Sequence, residues 1–500
     1  MTSSVVETVH GRVRGLERTD GVLRFRGISY GADTGGTNRW LPPQPVTPWA
    51  GVRDATVHGP IAPPDFTRYD PYPAYATFRP AYDTAHDEDC LTLNVTTPGT
   101  DDARRPVMVW WHGGAFDIGN GNLPHVEGTS LARDQDVVVV AVNHRLNVFG
   151  FLQLEEWFGE DYAHAGAVGM LDLAASLRWV RDNITAFGGD PGNVTVFGVS
   201  GGGAKVTHSL AMPAFDGLYQ HASIESGHDL WKHTTRDAGL EIASIVLDEL
   251  GIRPGDRAAL AALTTDALLK VAGSPRLTAL PSERHIGPRG WFTYDTFSPV
   301  IDGTDLPAQP VDAIAAGAKS DVDVLIGTTE LDHWNVPVLP TVPDDYGRLT
   351  DDRVRELARP FIGDRTDDVV DVYRAARPGM PPSTLLGTIM TDRDWRIPAV
   401  RVAEARLAAG SKPVRMHLGR GGAAPSRAWN AAPLGGAEAG LVEQIQPAWG
   451  AFARTGDPNH PHLPEWTPYD ASRATMILDV ESRLALDPWA AEREVWDGHR

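Results

Sequence analysis

A serine set among glycines, Gly198-Val199-Ser200-Gly201-Gly202-Gly203, closes the apolar run Thr195-Val196-Phe197 and is followed by small residues that open a helix. Gly-x-Ser-x-Gly at a strand-to-helix junction is the pattern of a nucleophile elbow, a strained turn that lifts one hydroxyl above a sheet. A serine hydroxyl stays a weak nucleophile until a base takes its proton. Upstream, Val107-Met108-Val109-Trp110-Trp111 runs into His112-Gly113-Gly114-Ala115-Phe116. A strand ending in His-Gly-Gly leaves backbone N–H groups at its tip, and such donors stabilise the oxyanion formed when an ester carbonyl is attacked. Either string alone is more often a plain turn. Together they point to acyl-transfer chemistry at Ser200.

These groups must be held by a sheet. Short strand patterns alternate with helical ones, which implies an α/β fold with a large, mostly parallel sheet and helices on both faces. Core strands are expected at 92–95, 107–111, 137–142, 194–197, 322–326 and 414–418. The run 137–142 shows no alternation, as befits a strand buried on both faces. Helical periodicity marks 170–183, just before the Ser200 strand, and 400–409. Residues 60–88, 273–298 and 335–347 read as long surface loops of the kind that roof an active site. With no repeat and no linker, one domain is expected over residues 1–500, with helical and loop insertions.

Bulk properties narrow the partners. The chain has 500 residues and a formal charge of −20, from 45 basic and 65 acidic side chains. That balance argues against nucleic acid or an anionic membrane as partner. The single cysteine, Cys90, excludes an internal disulfide. The first residues show no basic region followed by an apolar stretch, and no apolar run is long enough to span a bilayer, so a cytoplasmic location is expected. The abundance of Ala, Gly, Arg and Asp fits a GC-rich bacterial genome. No metal-ligand spacing, phosphate loop or dinucleotide fingerprint is present, so no metal or cofactor is expected. The expected partner is a small-molecule substrate, bound by a monomer or homodimer.

Nearly end to end, the chain resembles the type-B carboxylesterase/cholinesterase family of α/β-hydrolases. Phe25-Arg26-Gly27-Ile28-Ser29-Tyr30 resembles its N-terminal motif, and Glu88-Asp89-Cys90-Leu91 its Glu-Asp-Cys-Leu signature. Asn143-His144-Arg145, Gly150-Phe151-Leu152, Ala186 to Pro191, Phe297 to Gly303 and Trp449 to Asn459 continue the pattern. The resemblance implies Ser200 as nucleophile and the N–H groups of Gly114, Ala115 and Gly201 as oxyanion donors. It also implies a structural ion pair between Arg39 and Glu88, and Phe297 in an acyl pocket beside Phe116 and Val199. Many secreted members bond the Cys90 position to an earlier cysteine. That position is Ala62 here, so Cys90 is expected to be a buried free thiol. The family acid precedes a glycine. This chain reads Glu330-Leu331-Asp332-His333, which puts Asp332 at the acid position and leaves Glu330 as runner-up.

The pattern fails at the base. The family histidine lies between the strand at 414–418 and the helix containing Trp449, but residues 419–434 contain no histidine. The best placement on the family pattern, with Ala-Trp before it and Ala-Ala-Pro after, puts Asn430 there. A carboxamide cannot take the serine proton near neutral pH, and loss of the base costs serine hydrolases on the order of a million-fold in kcat. The glutamate that usually precedes the nucleophile is Val199. That carboxylate would stabilise a nearby imidazolium, so the two losses are mutually consistent. His333 adjoins the acid and is the candidate relocated base. His417, His112 and His208 read as packing or loop-supporting residues. Three functions follow: a serine carboxylesterase with an atypical triad, acting on an ester of a small apolar or aromatic molecule; a repurposed enzyme doing cyclisation, elimination or acyl transfer; or an inactive binding homologue.

Overall fold

The computed structural model describes residues 3–17, 20–65, 84–227, 233–278, 280, 285–286, 296–332, 346–420 and 439–498. Its N-terminal wing runs antiparallel through β1 (Ser3–Thr8), β2 (Gly11–Glu17), β3 (Leu23–Ser29) and β5 (Thr92–Thr97), with β4 (Val52–Asp54) added parallel to β2. The centre is parallel. It comprises β6 (Arg105–Trp111), β7 (Val138–Val142), β8 (Gly189–Val199), β9 (His221–Glu225), β13 (Asp323–Thr329), β14 (Val414–Gly419) and β15 (Ala474–Leu478). These lie in the order β7-β6-β8-β9-β13-β14-β15, and antiparallel β16 (Arg483–Leu486) closes the edge. A second, small sheet sets β10 (His233–Thr235) between β11 (His285–Ile286) and β12 (Val300–Ile301).

All six expected core strands form; β8 begins five residues earlier and ends two later than expected, and β7 begins one residue later. β6 shows why the helices lie on both faces. Val107, Val109 and Trp111 enter one core with Leu173, Leu177 and Val206, whereas Met108 and Trp110 enter another with Leu131 and Trp449. The first core is covered by α2 (Val168–Asn183) and α3 (Gly201–Ser209), the second by α1 (Thr129–Gln135) and α9 (Ala439–Thr455). The other expected helix, at 400–409, is observed as α8 (Ile397–Ala408). Between β13 and β14 the chain also builds α5 (Asp351–Ile362), α6 (Thr366–Ala376) and α7 (Pro382–Thr391), which share an apolar cluster with Trp496. After α4 (Arg236–Leu250), the region expected as loop at 273–298 includes a short helix, Pro275–Thr278, and the strand β11.

Two buried ion pairs tie distant segments together. Arg39 grips Glu88 through Nε and Nη2 at 2.6 and 2.7 Å and also donates to the carbonyls of Leu260 and Leu263. Arg145, after β7, grips Asp172 of α2 at 2.8 and 2.6 Å. Cys90 is a buried free thiol. Burial pushes it well above the ordinary thiol pKa, with Asp172 acting in the same direction. No helix among the described residues is long and apolar enough to cross a membrane.

Candidate active site

The topology singles out one crevice. From β6 the chain crosses to β7 on one side, and from β8 it crosses to β9 on the other. Adjacent parallel strands whose connections diverge leave a crevice beyond their carboxyl ends, where α/β sheets bind ligands. β6 is followed directly by His112-Gly113-Gly114 and β8 by Ser200.

Ser200 has φ 57° and ψ −123°, a strained combination for a residue with a side chain. The strain is held from both sides. Its N–H donates to the Glu225 carbonyl at the tip of β9, and its carbonyl accepts from Ala204 N–H, each at 2.9 Å. Small residues are steric necessities here. A Cβ on Gly202 would lie 2.1 Å from the Trp111 carbonyl oxygen, and one on Gly201 2.3 Å from the Ala115 nitrogen. The tip of β6 is therefore pressed directly against the elbow, and the expected donors Ala115 and Gly201 sit backbone to backbone.

The loop after β6 is bent by Gly114 (φ 94°) and Ala115 (φ 54°). Its four successive carbonyls are all engaged. Lys205 Nζ, from α3, donates to those of His112 at 3.0 Å and Ala115 at 2.7 Å. His112 Nδ1 lies 2.9 Å from that of Gly113, and Ile118 N–H donates to that of Gly114 at 3.0 Å. A trans peptide points its N–H opposite to its C=O. The N–H groups of Gly114 and Ala115 are thus turned away from these inward bonds.

The neighbouring imidazoles are weak bases. Burial, with Lys205 adding to it, pushes the His112 pKa down to about 3. Burial and the nearby cation hold His144 well below the ordinary histidine range too. The two rings stack 4.9 Å apart, and both are neutral near pH 7. His208 is fully buried, with Nδ1 2.8 Å from the Ala204 carbonyl of its own helix.

Asp332 follows β13. Its carboxylate accepts from Thr329 N–H at 3.1 Å, Thr329 Oγ1 at 2.7 Å and Ser226 Oγ at 2.9 Å. Ser226 caps β9 at φ 47°, and its N–H donates to the Gly327 carbonyl at 2.8 Å. Two strand spacings, about 10 Å, separate the β8 and β13 ends, a gap that one imidazole can bridge. Glu330, the runner-up acid, is committed elsewhere: Arg377 Nη1 lies 3.3 Å and Arg420 Nε 3.1 Å from its carboxylate.

His417 is packed inside the sheet rather than poised at Ser200. Val199, Glu225, Gly327 and His417 form one row across β8, β9, β13 and β14. Three spacings, about 14 Å, separate its ends. Because Gly327 has no side chain, the His417 ring passes over it and Nε2 reaches 2.8 Å from Glu225 Oε2, an ion-pair distance without hydrogen-bond alignment. Glu225 also accepts from Ser223 Oγ, itself bonded by Trp449 Nε1.

Of the other expected residues, Phe116 is buried with its ring against Phe151 and His208, Phe297 is buried, and Val199 is half-buried beside the elbow. His333 and Asn430 lie outside the described residues. Three groups escaped the sequence reading: Lys205, Ser226 and the Glu225–His417 pair. A signal existed for the first, a lone cation in the otherwise small and apolar start of the helix after the elbow. None existed for the pair, whose meeting depends on strand register.

Comparison with known proteins identifies the family and the fold. Residues 2–365 match the profile described as the Carboxylesterase family. The chain is 35% identical to the para-nitrobenzyl esterase of Bacillus subtilis, over 99% of this chain and 98% of that one. It is 30% identical to the phenmedipham hydrolase of Pseudarthrobacter oxydans, over 97% of both. A carboxylesterase structure from Geobacillus stearothermophilus superposes with a TM-score of 0.83 at 34% identity, covering 98% of this chain and 99% of that one.

Proposed function

The chain belongs to the carboxylesterase family of carboxylic ester hydrolases, and on that premise we propose that it cleaves the ester of a small apolar or aromatic molecule through an atypical triad. Ser200 attacks the carbonyl, and the N–H groups of Gly114, Ala115 and Gly201 receive the oxyanion. Asp332 is the acid member. Asn430 stands at the family's histidine position, so the proton goes to a displaced imidazole, His333, which adjoins Asp332 in the chain. The observation that carries this reading is the strained Ser200 elbow pressed against a loop whose four successive carbonyls are all engaged in hydrogen bonds. An elbow and a donor loop held at this cost serve acyl transfer and nothing a binding scaffold needs. The para-nitrobenzyl esterase and phenmedipham hydrolase names motivate an aromatic substrate.

The test uses p-nitrophenyl acyl esters and a fluorophosphonate probe. Turnover with stoichiometric labelling of Ser200, both abolished in Ser200→Ala, supports the reading. His333→Gln is expected to lower kcat by about 100-fold or more, the contribution of a general base. Wild-type activity in His333→Gln that disappears in His228→Gln would move the base to His228, two residues beyond Ser226. No labelling of the wild type, with labelling gained by Asn430→His, would overturn the displaced base.

A further inference from the structure

We propose that Lys205 is a positioning residue for ester hydrolysis, its buried ammonium group locking the loop that carries the oxyanion donors; this rests on the esterase reading above. Lys205 is fully buried. A lysine is rarely so buried unless its charge is well partnered, because removing an ammonium from water is costly. Here Nζ donates to the carbonyls of His112 and Ala115 and lies 5.4 Å from the centre of the Phe116 ring. Hydrogen bonds from a charged donor are about twice as strong as neutral ones.

The two carbonyls bracket the loop: one is where the chain leaves β6, the other where it turns back. Within the bracket, His112 Nδ1 and the Ile118 N–H hold the remaining two carbonyls. If either bracketing bond opens, the peptides between can rotate and the Gly114 and Ala115 N–H groups lose their common direction. Left-handed φ at Ala115 gives the loop a reason to relax once freed. Lys205 also sits on α3, whose N-terminus is the elbow itself. Nucleophile, Gly201 donor and lock therefore belong to one rigid helix, and the lock fixes the second half of the donor set relative to the first. The same charge helps keep His112 neutral beneath the loop.

The experiment compares wild type with Lys205→Met, Lys205→Gln and Lys205→Arg. Steady-state kinetics use p-nitrophenyl acetate. Inhibition uses an aryl trifluoromethyl ketone, whose carbonyl carbon bonds the serine oxygen while the serine proton passes to the base and the carbonyl oxygen becomes the alkoxide, against the matching secondary alcohol, which forms no oxyanion. In Lys205→Met, kcat is expected to fall about 10- to 100-fold with KM within about threefold, less than the loss of a whole donor can cost. The ketone should weaken by the factor lost from kcat/KM, and the alcohol should bind as before. Amide exchange across residues 112–116 should accelerate, and Lys205→Arg should recover most of the activity. A folded Lys205→Met that keeps kcat and ketone affinity, or loses ketone and alcohol affinity alike, overturns the proposal. If Lys205→Met does not fold, Lys205→Gln is judged by the same criteria. A wild type that neither turns over ester nor binds the ketone sinks the esterase reading instead. The lock then stands or falls on exchange, and unchanged exchange at 112–116 in the variant overturns it.

Discussion

At Ser200 and its neighbours, chemistry is governed by what cannot be added. The Gly201 Cα faces the Ala115 nitrogen so closely that a methyl group would sit 2.3 Å away. Gly201→Ala should push the donor loop off the elbow and lower kcat about 100-fold, the scale of losing one oxyanion donor. A kcat within threefold of wild type on p-nitrophenyl acetate would refute this. A second residue-scale effect concerns pH. The folded pKa of His144 lies well below its ordinary 6.5 through burial, so the unfolded chain binds a proton that the fold refuses. Its contribution is complete above about pH 6.5 and is lost as the pH falls. His144→Gln should therefore flatten the dependence of unfolding free energy on pH below about pH 6.5, by up to about 1.4 kcal/mol per pH unit. Urea denaturation of both proteins across that range measures it, and parallel curves would contradict it.

Among the elements, the tips of β8, β9 and β13 act as one unit. Ser200 N–H is tied to β9, Ser226 N–H is tied to β13, and the Ser226 hydroxyl holds Asp332. Beneath them Gly327 makes room for the Glu225–His417 pair, since a Cβ there would lie 2.3 Å from the imidazole. Gly327→Ala should force the ring aside and strain β13 just before the Asp332 turn, at about 1–3 kcal/mol of overpacking. It should also lower kcat, because Asp332 moves with its strand. Unchanged stability in chemical denaturation together with unchanged kcat would show that the row is not coupled to the site. Glu330 acts on the same turn from outside, holding Arg377 of the inserted helices and Arg420 at the end of β14.

For the molecule as a whole, the Arg39–Glu88 pair joins the N-terminal segment to the helical region near Leu260 and Leu263, and Thr265 adds a hydroxyl at 2.8 Å. Glu88→Gln leaves a buried guanidinium without its carboxylate and should lower the unfolding free energy by about 3–5 kcal/mol. Differential scanning calorimetry would show a lower transition temperature, and an unchanged transition would make the pair dispensable. Because the bonds of the pair go to Leu260, Leu263 and Thr265 and to none of Ser200, Asp332 or residues 112–116, kcat of the variant below its transition should stay near wild type.

How much of this was legible in the chain differs by distance along it. The elbow, the donor loop and six core strands are local patterns: apolar runs that end in glycines, where backbone sterics and burial act within about ten residues. Resemblance extended that reading to the family, and it set the expectations of Asp332 as the acid and Asn430 at the histidine position. Only the tertiary structure decided which groups share one crevice. The β7-β6-β8-β9 order brings His112 and Ser200 side by side though 88 positions separate them. Parallel register sends His417 to Glu225 and away from Ser200, and a helix axis aims Lys205 at two carbonyls of another segment. Local propensity is written in neighbouring residues, whereas register and packing depend on strands hundreds of residues apart choosing one another, which no short stretch of sequence records.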